Sequence, residues 1–186
     1  MILYLHGFRS SPASFKARLL AQHVPAAEWL CPQLPPSPAQ AVALAAGLIE
    51  AAAPQELCLI GSSLGGFYAT WLAQRYGCRC VLLNPAVRPA RLLHDQVGTG
   101  TQYHSAEPFV FLPEYVAQLE ALEVAQISRP ERYFLLAATG DEVLDWREMA
   151  QHYAGARQHI IQGSDHGISE FAAYLPQVLA FAREGR

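Results

Sequence analysis

Charge is scarce in this 186-residue sequence: Asp, Glu, Lys and Arg make up 16% of it, and the formal net charge is −3. The basic residues are scattered singly. No Lys/Arg run can displace counterions from a phosphate backbone, so nucleic acid is not an expected partner. No helical stretch carries the basic face of a membrane anchor, and no apolar run approaches the ~20 residues of a bilayer span. The start, Met1–Gly7, has neither the length nor the positive region of a secretory signal. The four cysteines, Cys31, Cys58, Cys78 and Cys80, lack metal spacing, because Cys78-Arg79-Cys80 has no second pair. On a strand Cys78 and Cys80 point to one face. All four read as reduced, mostly buried thiols, and a cytoplasmic protein without metal is expected.

Hydrophobic residues are plentiful, at 52%. That is ample for one domain spanning residues 1–186 with its own core. Short apolar runs at Ile2–Leu5, Trp29–Cys31, Leu57–Ile60, Val81–Leu83, Tyr133–Ala137 and His159–Ile161 read as strands. Helices are predicted between and after them at Ala13–His23, Pro38–Ala52, Leu64–Tyr76, Asp145–Tyr153 and Ser169–Arg183. This alternation predicts an α/β fold, with a mostly parallel sheet of about six strands and helices on both faces.

One interval interrupts the rhythm. Residues 87–129 follow the fourth strand and hold a Gly-rich loop at Val97–Thr101 and one helix, Pro113–Val124, led by proline. The segment reads either as a lid over a site or as a solvated insertion packed on the sheet edge.

Gly61-Ser62-Ser63-Leu64-Gly65 has the pattern G-x-S-x-G and lies between a predicted strand and a predicted helix. That junction is a nucleophile elbow, in which the serine sits on a sharp turn above the sheet. A serine hydroxyl needs a base, and His166, in Gly163-Ser-Asp-His-Gly167, follows the last strand. The other histidines suit less well: His23 and His152 fall in helices, His94 and His104 in the insertion, and His159 at a strand start. Asp141, directly after the fifth strand, is the favoured partner for the histidine. Glu142 and Asp145 compete with it, although Asp145 also reads as a helix N-cap with Glu148 completing a capping-box-like pair. The order Ser63, Asp141, His166 is that of the α/β hydrolases.

An oxyanion needs donors, and the backbone N–H groups of Leu64 and Phe8 are the candidates. Phe8 lies in the loop after the first strand, where Gly7 allows a close turn and His6 reads as a brace. Strands one and three should adjoin at the topological switch point, which brings this loop and Ser63 together. Arg9 reads either as a contact for an anionic part of a substrate or as a surface residue. Tyr103, Phe109, Phe111 and Tyr115 read either as acyl-pocket walls or as packing.

With these residues placed, the chain resembles the small bacterial YqiA-like esterase family within the α/β hydrolases. The resemblance runs through Tyr4-Leu-His-Gly-Phe-Arg-Ser-Ser-Pro12, Pro32-Gln-Leu-Pro-Pro36, Gly61-Ser-Ser-Leu-Gly-Gly66 and Ala69-Thr-Trp-Leu72. It continues through Asn84-Pro-Ala-Val-Arg-Pro89 and Thr139-Gly-Asp-Glu-Val-Leu-Asp145 and ends near His166. It implies a cytoplasmic carboxylic-ester hydrolase without a cofactor, with Ser63, Asp141 and His166 in the triad positions. The family tends to have Asn-His where this chain has Asp165-His166, a carboxylate that can raise the pKa of the base. A small-molecule ester is the expected substrate. Thioester hydrolysis by the same triad, or a non-catalytic binding role on the same fold, are the alternatives.

Overall fold

The computed structural model describes residues 1–52, 56–103 and 108–184. Six parallel strands form one sheet: β1 (Ile2–Leu5), β2 (Trp29–Leu30), β3 (Cys58–Ser62), β4 (Arg79–Leu83), β7 (Tyr133–Ala138) and β8 (Arg157–Ile161). Their order across the sheet is β2-β1-β3-β4-β7-β8. The chain therefore winds outward in one direction from β1 and then reverses, leaving β1 and β3 adjacent at the switch point.

Successive residues of each central strand feed opposite cores. Leu3, Leu5, Leu59, Cys80, Leu82 and Leu135 face one layer, built largely on α2 (Pro38–Ala51) and α3 (Leu64–Tyr76). Ile2, Tyr4, Ile60, Val81, Leu83 and Phe134 face the other, closed by α1 (Phe15–Ala21) and α7 (Leu175–Arg183). Burial on both faces is why these strands read as continuous apolar runs. Cys78 and Cys80 do share a layer, and all four thiols are free.

Helix ends follow local chemistry. Ser37 caps α2 by accepting from Gln40 N–H, with Pro38 at the first helical position. Gly77, at φ 71°, ends α3 in the left-handed conformation. The last helix differs from expectation. A short 3-10 turn at Phe171–Ala173 comes first, and α7 starts only at Leu175, because Pro176 cannot donate to a preceding turn. His23 falls just beyond α1, and His159 lies within β8.

The insertion after β4 carries α4 (Pro89–Leu93) and α5 (Glu114–Ala121). What reads as a Gly-rich loop is one strand of a hairpin, β5 (Gly98–Thr101) paired antiparallel with β6 (Pro108–Phe111). Its inward residues Phe109 and Phe111 meet Phe8 edge to face, with ring centroids 4.9 and 5.3 Å away. Tyr115 packs on Phe111. Phe109, Phe111 and Tyr115 are thus packing residues. His104 lies outside the described residues. Among the described residues, no helix is long and apolar enough to cross a membrane.

Helix α3 presses its first turn against β1. A Cβ on Gly65 would collide with the Leu5 carbonyl oxygen and lie 2.6 Å from His6 O, both of them backbone atoms. Gly65→Ala is expected to cost at least about 2 kcal/mol of stability, read from urea unfolding. A loss under about 0.5 kcal/mol would show that the helix can move off the strand.

Candidate active site

Ser63 sits between β3 and α3 at φ 54° and ψ −122°, a backbone conformation that L-residues rarely adopt. Its surroundings hold it there. Its N–H donates to Leu83 O at 3.1 Å, and its carbonyl accepts from Gly66, Phe67 and Ala86 N–H. A Cβ on Gly61 would lie 2.6 Å from Gly66 Cα, so the tight crossing of strand and helix requires glycine. The sequence G-x-S-x-G thus folds as the strained elbow its pattern predicts.

His166 Nε2 lies 3.0 Å from Ser63 Oγ, and its Nδ1 lies 2.8 Å from Asp141 Oδ2. A carboxylate only accepts, so the imidazole carries its proton on Nδ1 and turns a lone pair toward the serine. The Asp141 side chain is fully buried. Its Oδ1 also accepts the N–H groups of Val143 and Leu144, each at 2.9 Å, which fixes the carboxylate independently of the imidazole. The two competing acids are engaged elsewhere. Glu142 accepts the backbone N–H of His166 at 2.9 Å. Asp145 caps α6 (Trp146–His152) through Arg147 N–H. The capping-box partner does not form, because Glu148 reaches Arg88 instead.

The loop carrying His166 is tied down from two sides. Thr139 N–H and Gly140 N–H donate to Ile161 O and Gly163 O, joining the acid loop to the histidine loop. Asn84, fully buried at the end of β4, donates through Nδ2 to both Asp165 O and His166 O at 3.0 Å. Its Oδ1 accepts Ala138 N–H at 2.8 Å. The Asp165 carboxylate turns to Ser169, accepting its N–H and hydroxyl. The Ser169 hydroxyl holds the Asp165 carboxyl below its usual pKa.

On the other side of Ser63 stands the loop after β1. A Cβ on Gly7 would lie 3.2 Å from Ser63 Cβ, which brings the Phe8 backbone alongside the serine. His6 braces the loop. Its Nε2 accepts Leu34 N–H at 3.0 Å, which leaves Nδ1–H to donate to Gly7 O. Phe8 and Leu64 line one cavity with Ser63 and His166, of about 760 Å³. Among the described residues neither of their N–H groups donates to a protein acceptor.

The sequence pattern of one family matches residues 1–183 of this chain. The chain belongs to the uncharacterised protein family UPF0227. This is the YqiA-like family of the resemblance. Solved structures share its α/β-hydrolase fold at low identity. A protein of Agrobacterium vitis S4 is 18% identical with a TM-score of 0.75, covering 97% of this chain and 87% of that one. Est1E from Butyrivibrio proteoclasticus, solved with ferulic acid bound, is 10% identical at TM-score 0.72, with 97% and 88% covered. The esterase domain of a Rhodothermus marinus protein is 21% identical at TM-score 0.69, with 98% and 85% covered.

In this UPF0227 chain the insertion forms one wall of the cavity, through Pro89, Leu92, Leu93, Gln96 and Tyr103. Arg9 does not line the cavity with Ser63. Its Nε donates to Thr101 O at 2.6 Å and its guanidinium stacks on the Tyr103 ring, so it latches the hairpin to the loop after β1. Of the two readings of Arg9, these contacts favour the structural one, since Thr101 and Tyr103 hold its guanidinium at the hairpin. Tyr103 does reach the cavity, and two-thirds of it remains exposed.

Two residues escaped the sequence reading. Asn84 left a signal, a polar residue before proline at the carboxyl end of a buried strand. Lys16 left another, because it is the chain's only lysine and shares a helical face with the buried Leu20. Only 9% of Lys16 is exposed, and it lines the cavity. Burial lowers its ammonium from 10.5 to about 8, against the opposing pull of Asp165 and Asp141.

Between about 8 and 10.5 the unfolded chain keeps a proton on Lys16 that the folded chain has released. The contribution of Lys16 to stability therefore rises with pH across that window. Cys31 and Cys78 act in the opposite sense, since burial pushes their thiols up to about 12 and about 11. Comparing the wild type with Lys16→Gln by urea unfolding cancels those thiols. The stability of the wild type relative to the variant is expected to grow from about pH 7.5 to about pH 10. A constant difference would contradict the lowered pKa.

Proposed function

We propose that this chain is a serine hydrolase that cleaves carboxylic esters through an acyl-enzyme on Ser63. The observation that carries this reading is the unbroken run from the buried Asp141 carboxylate through His166 to Ser63 Oγ, with contacts of 2.8 and 3.0 Å. His166 Nε2 takes the proton as Ser63 Oγ bonds to the ester carbonyl carbon. The carbonyl oxygen becomes an oxyanion facing the Phe8 and Leu64 N–H groups, which have no protein partner to give up. Collapse breaks the ester bond, and His166 returns the proton to the departing alcohol. Water then repeats the cycle on the acyl-enzyme and releases the acid. Asp141 holds the tautomer and stabilises the imidazolium. In this reading the insertion residues Pro89, Leu92, Leu93, Gln96 and Tyr103 cover one side of the bound ester. Esterases among the neighbours of the same fold support hydrolysis, and the cavity size suits a small-molecule ester.

The decisive measurement is labelling with a fluorophosphonate, followed by mass mapping. One adduct on Ser63 is expected, and it should disappear in His166→Ala. Folded wild-type protein that takes no label would favour a binding protein on a hydrolase fold.

The choice of acid is tested separately. Asp141→Asn is expected to lower kcat by roughly a thousand-fold, because the amide can donate to Nδ1 and so favours the wrong tautomer. Asp145→Asn should stay within about three-fold, since Asn caps a helix as well as Asp does. The reverse ranking of ester turnover would reassign the acid.

A further inference from the structure

The buried ammonium of Lys16 makes no direct ion pair among the described residues; Asp165 and Asp141 act on it only from beyond contact distance. Among the described residues its only hydrogen bond is Nζ to Gly167 O, at 2.5 Å, and no carboxylate oxygen lies within 4.0 Å of it. The nearby acids are committed elsewhere, Asp141 to His166 and Asp165 to Ser169. An ammonium taken out of water without a partner is costly, and a folded chain rarely keeps one unless something else supplies the charge. The rest of the chain makes the choice more pointed. Every other basic side chain is arginine, whereas the single lysine stands nine-tenths buried in the wall of the cavity that holds Ser63.

The cavity is divided in character. Pro89, Leu92, Leu93 and Leu144 give it an apolar side, while Lys16 and Ser169 stand on the side of the His166 turn. We propose that Lys16 is the binding site for a carboxylate on the substrate, so that this hydrolase selects esters carrying one negative charge beside an apolar part. A carboxylate suits the site better than a phosphate. One ammonium supplies one charge, and no arginine lines the cavity to form the fork that phosphates favour. Two of the three Nζ donors remain for the ligand once Gly167 O has taken one.

What is cleaved rests on the ester-hydrolase reading of Ser63, whereas what is bound rests on Lys16. The carboxylate can sit on the acyl side or on the leaving group, and two substrate pairs separate these. Monoethyl glutarate against ethyl valerate tests the acyl side. 4-Acetoxybenzoate against its methyl ester tests the leaving group. In one pair the charged ester is expected to show kcat/KM at least about ten-fold above its neutral partner, mainly through KM. Lys16→Gln keeps a donor for Gly167 O but loses the charge, and it should erase most of that ratio; Lys16→Met should do the same.

Binding gives a reading that does not need turnover. Calorimetric titration of Ser63→Ala protein with both pairs is expected to show the same preference, lost in Ser63→Ala/Lys16→Gln. Equal kcat/KM and equal affinity within both pairs would overturn the proposal. So would an equal slowing of charged and neutral esters by Lys16→Gln, which would assign Lys16 to holding the His166 turn. Failure of fluorophosphonate labelling together with a charge preference in binding would overturn the hydrolase reading and keep the carboxylate site.

Discussion

One buried carboxamide, that of Asn84, joins the three loops on which the site depends. It stands at φ 43°, a left-handed conformation that asparagine tolerates better than most residues, immediately after the strand whose Leu83 carbonyl receives Ser63 N–H. Its oxygen takes Ala138 N–H, three residues before Asp141, and its nitrogen gives both protons to the turn carrying His166. Serine, aspartate and histidine come from distant parts of the sequence. A single side chain that bonds to two of their segments and adjoins the third sets the separation among all three. Hydrogen bonds made in a dry interior are strong, and their loss would strip the partner from His166 O and Ala138 N–H at once, while Asp165 O would keep Ile168 N–H.

The acidic groups near His166 show how such a site remains orderly. Asp141, Glu142 and Asp165 lie on the two loops that meet at His166. Each carboxylate is given a different donor set: the Val143 and Leu144 amides with His166 Nδ1, the His166 amide, and the Ser169 amide with its hydroxyl. The division assigns one acid to the ring and the others to the backbone of the turn. Lys16 shows the opposite pattern: a charge whose hydrogen bond goes to a backbone carbonyl, that of Gly167.

Much of this was legible in the sequence because it rests on local pattern. Buried strands announce themselves as apolar runs, and G-x-S-x-G between a strand and a helix announces the elbow. The order of Ser63, Asp141 and His166 then selects one topology. The hairpin escaped because Val97-Gly-Thr-Gly-Thr101 carries almost no apolar alternation; its pairing with β6 is set across space, by Phe109 and Phe111 against Phe8. Arg9 reads either as an anion contact or as a surface residue, because it extends from the loop after the first strand. Only the fold reveals that Thr101 O and Tyr103 take up its donors and its face. The partner of the Asp165 carboxylate was hidden for a related reason, since nearness in sequence to His166 says nothing about which way a carboxylate turns.

The placement of rigidity follows from these differences. The side of the cavity that carries the proposed chemistry is held by backbone hydrogen bonds, by Asn84 and by glycines whose replacement would meet backbone atoms. Such contacts permit little variation, which is why they leave short, readable motifs. The opposite wall is built from α4, Gln96 and Tyr103, beside a hairpin fastened by aromatic edges and one arginine. Phe8 belongs to both systems. Its backbone stands beside Ser63, and its ring is gripped by Phe109 and Phe111. Any displacement of the hairpin is therefore felt at the proposed oxyanion donor. The two walls of the cavity are thus joined through one aromatic residue.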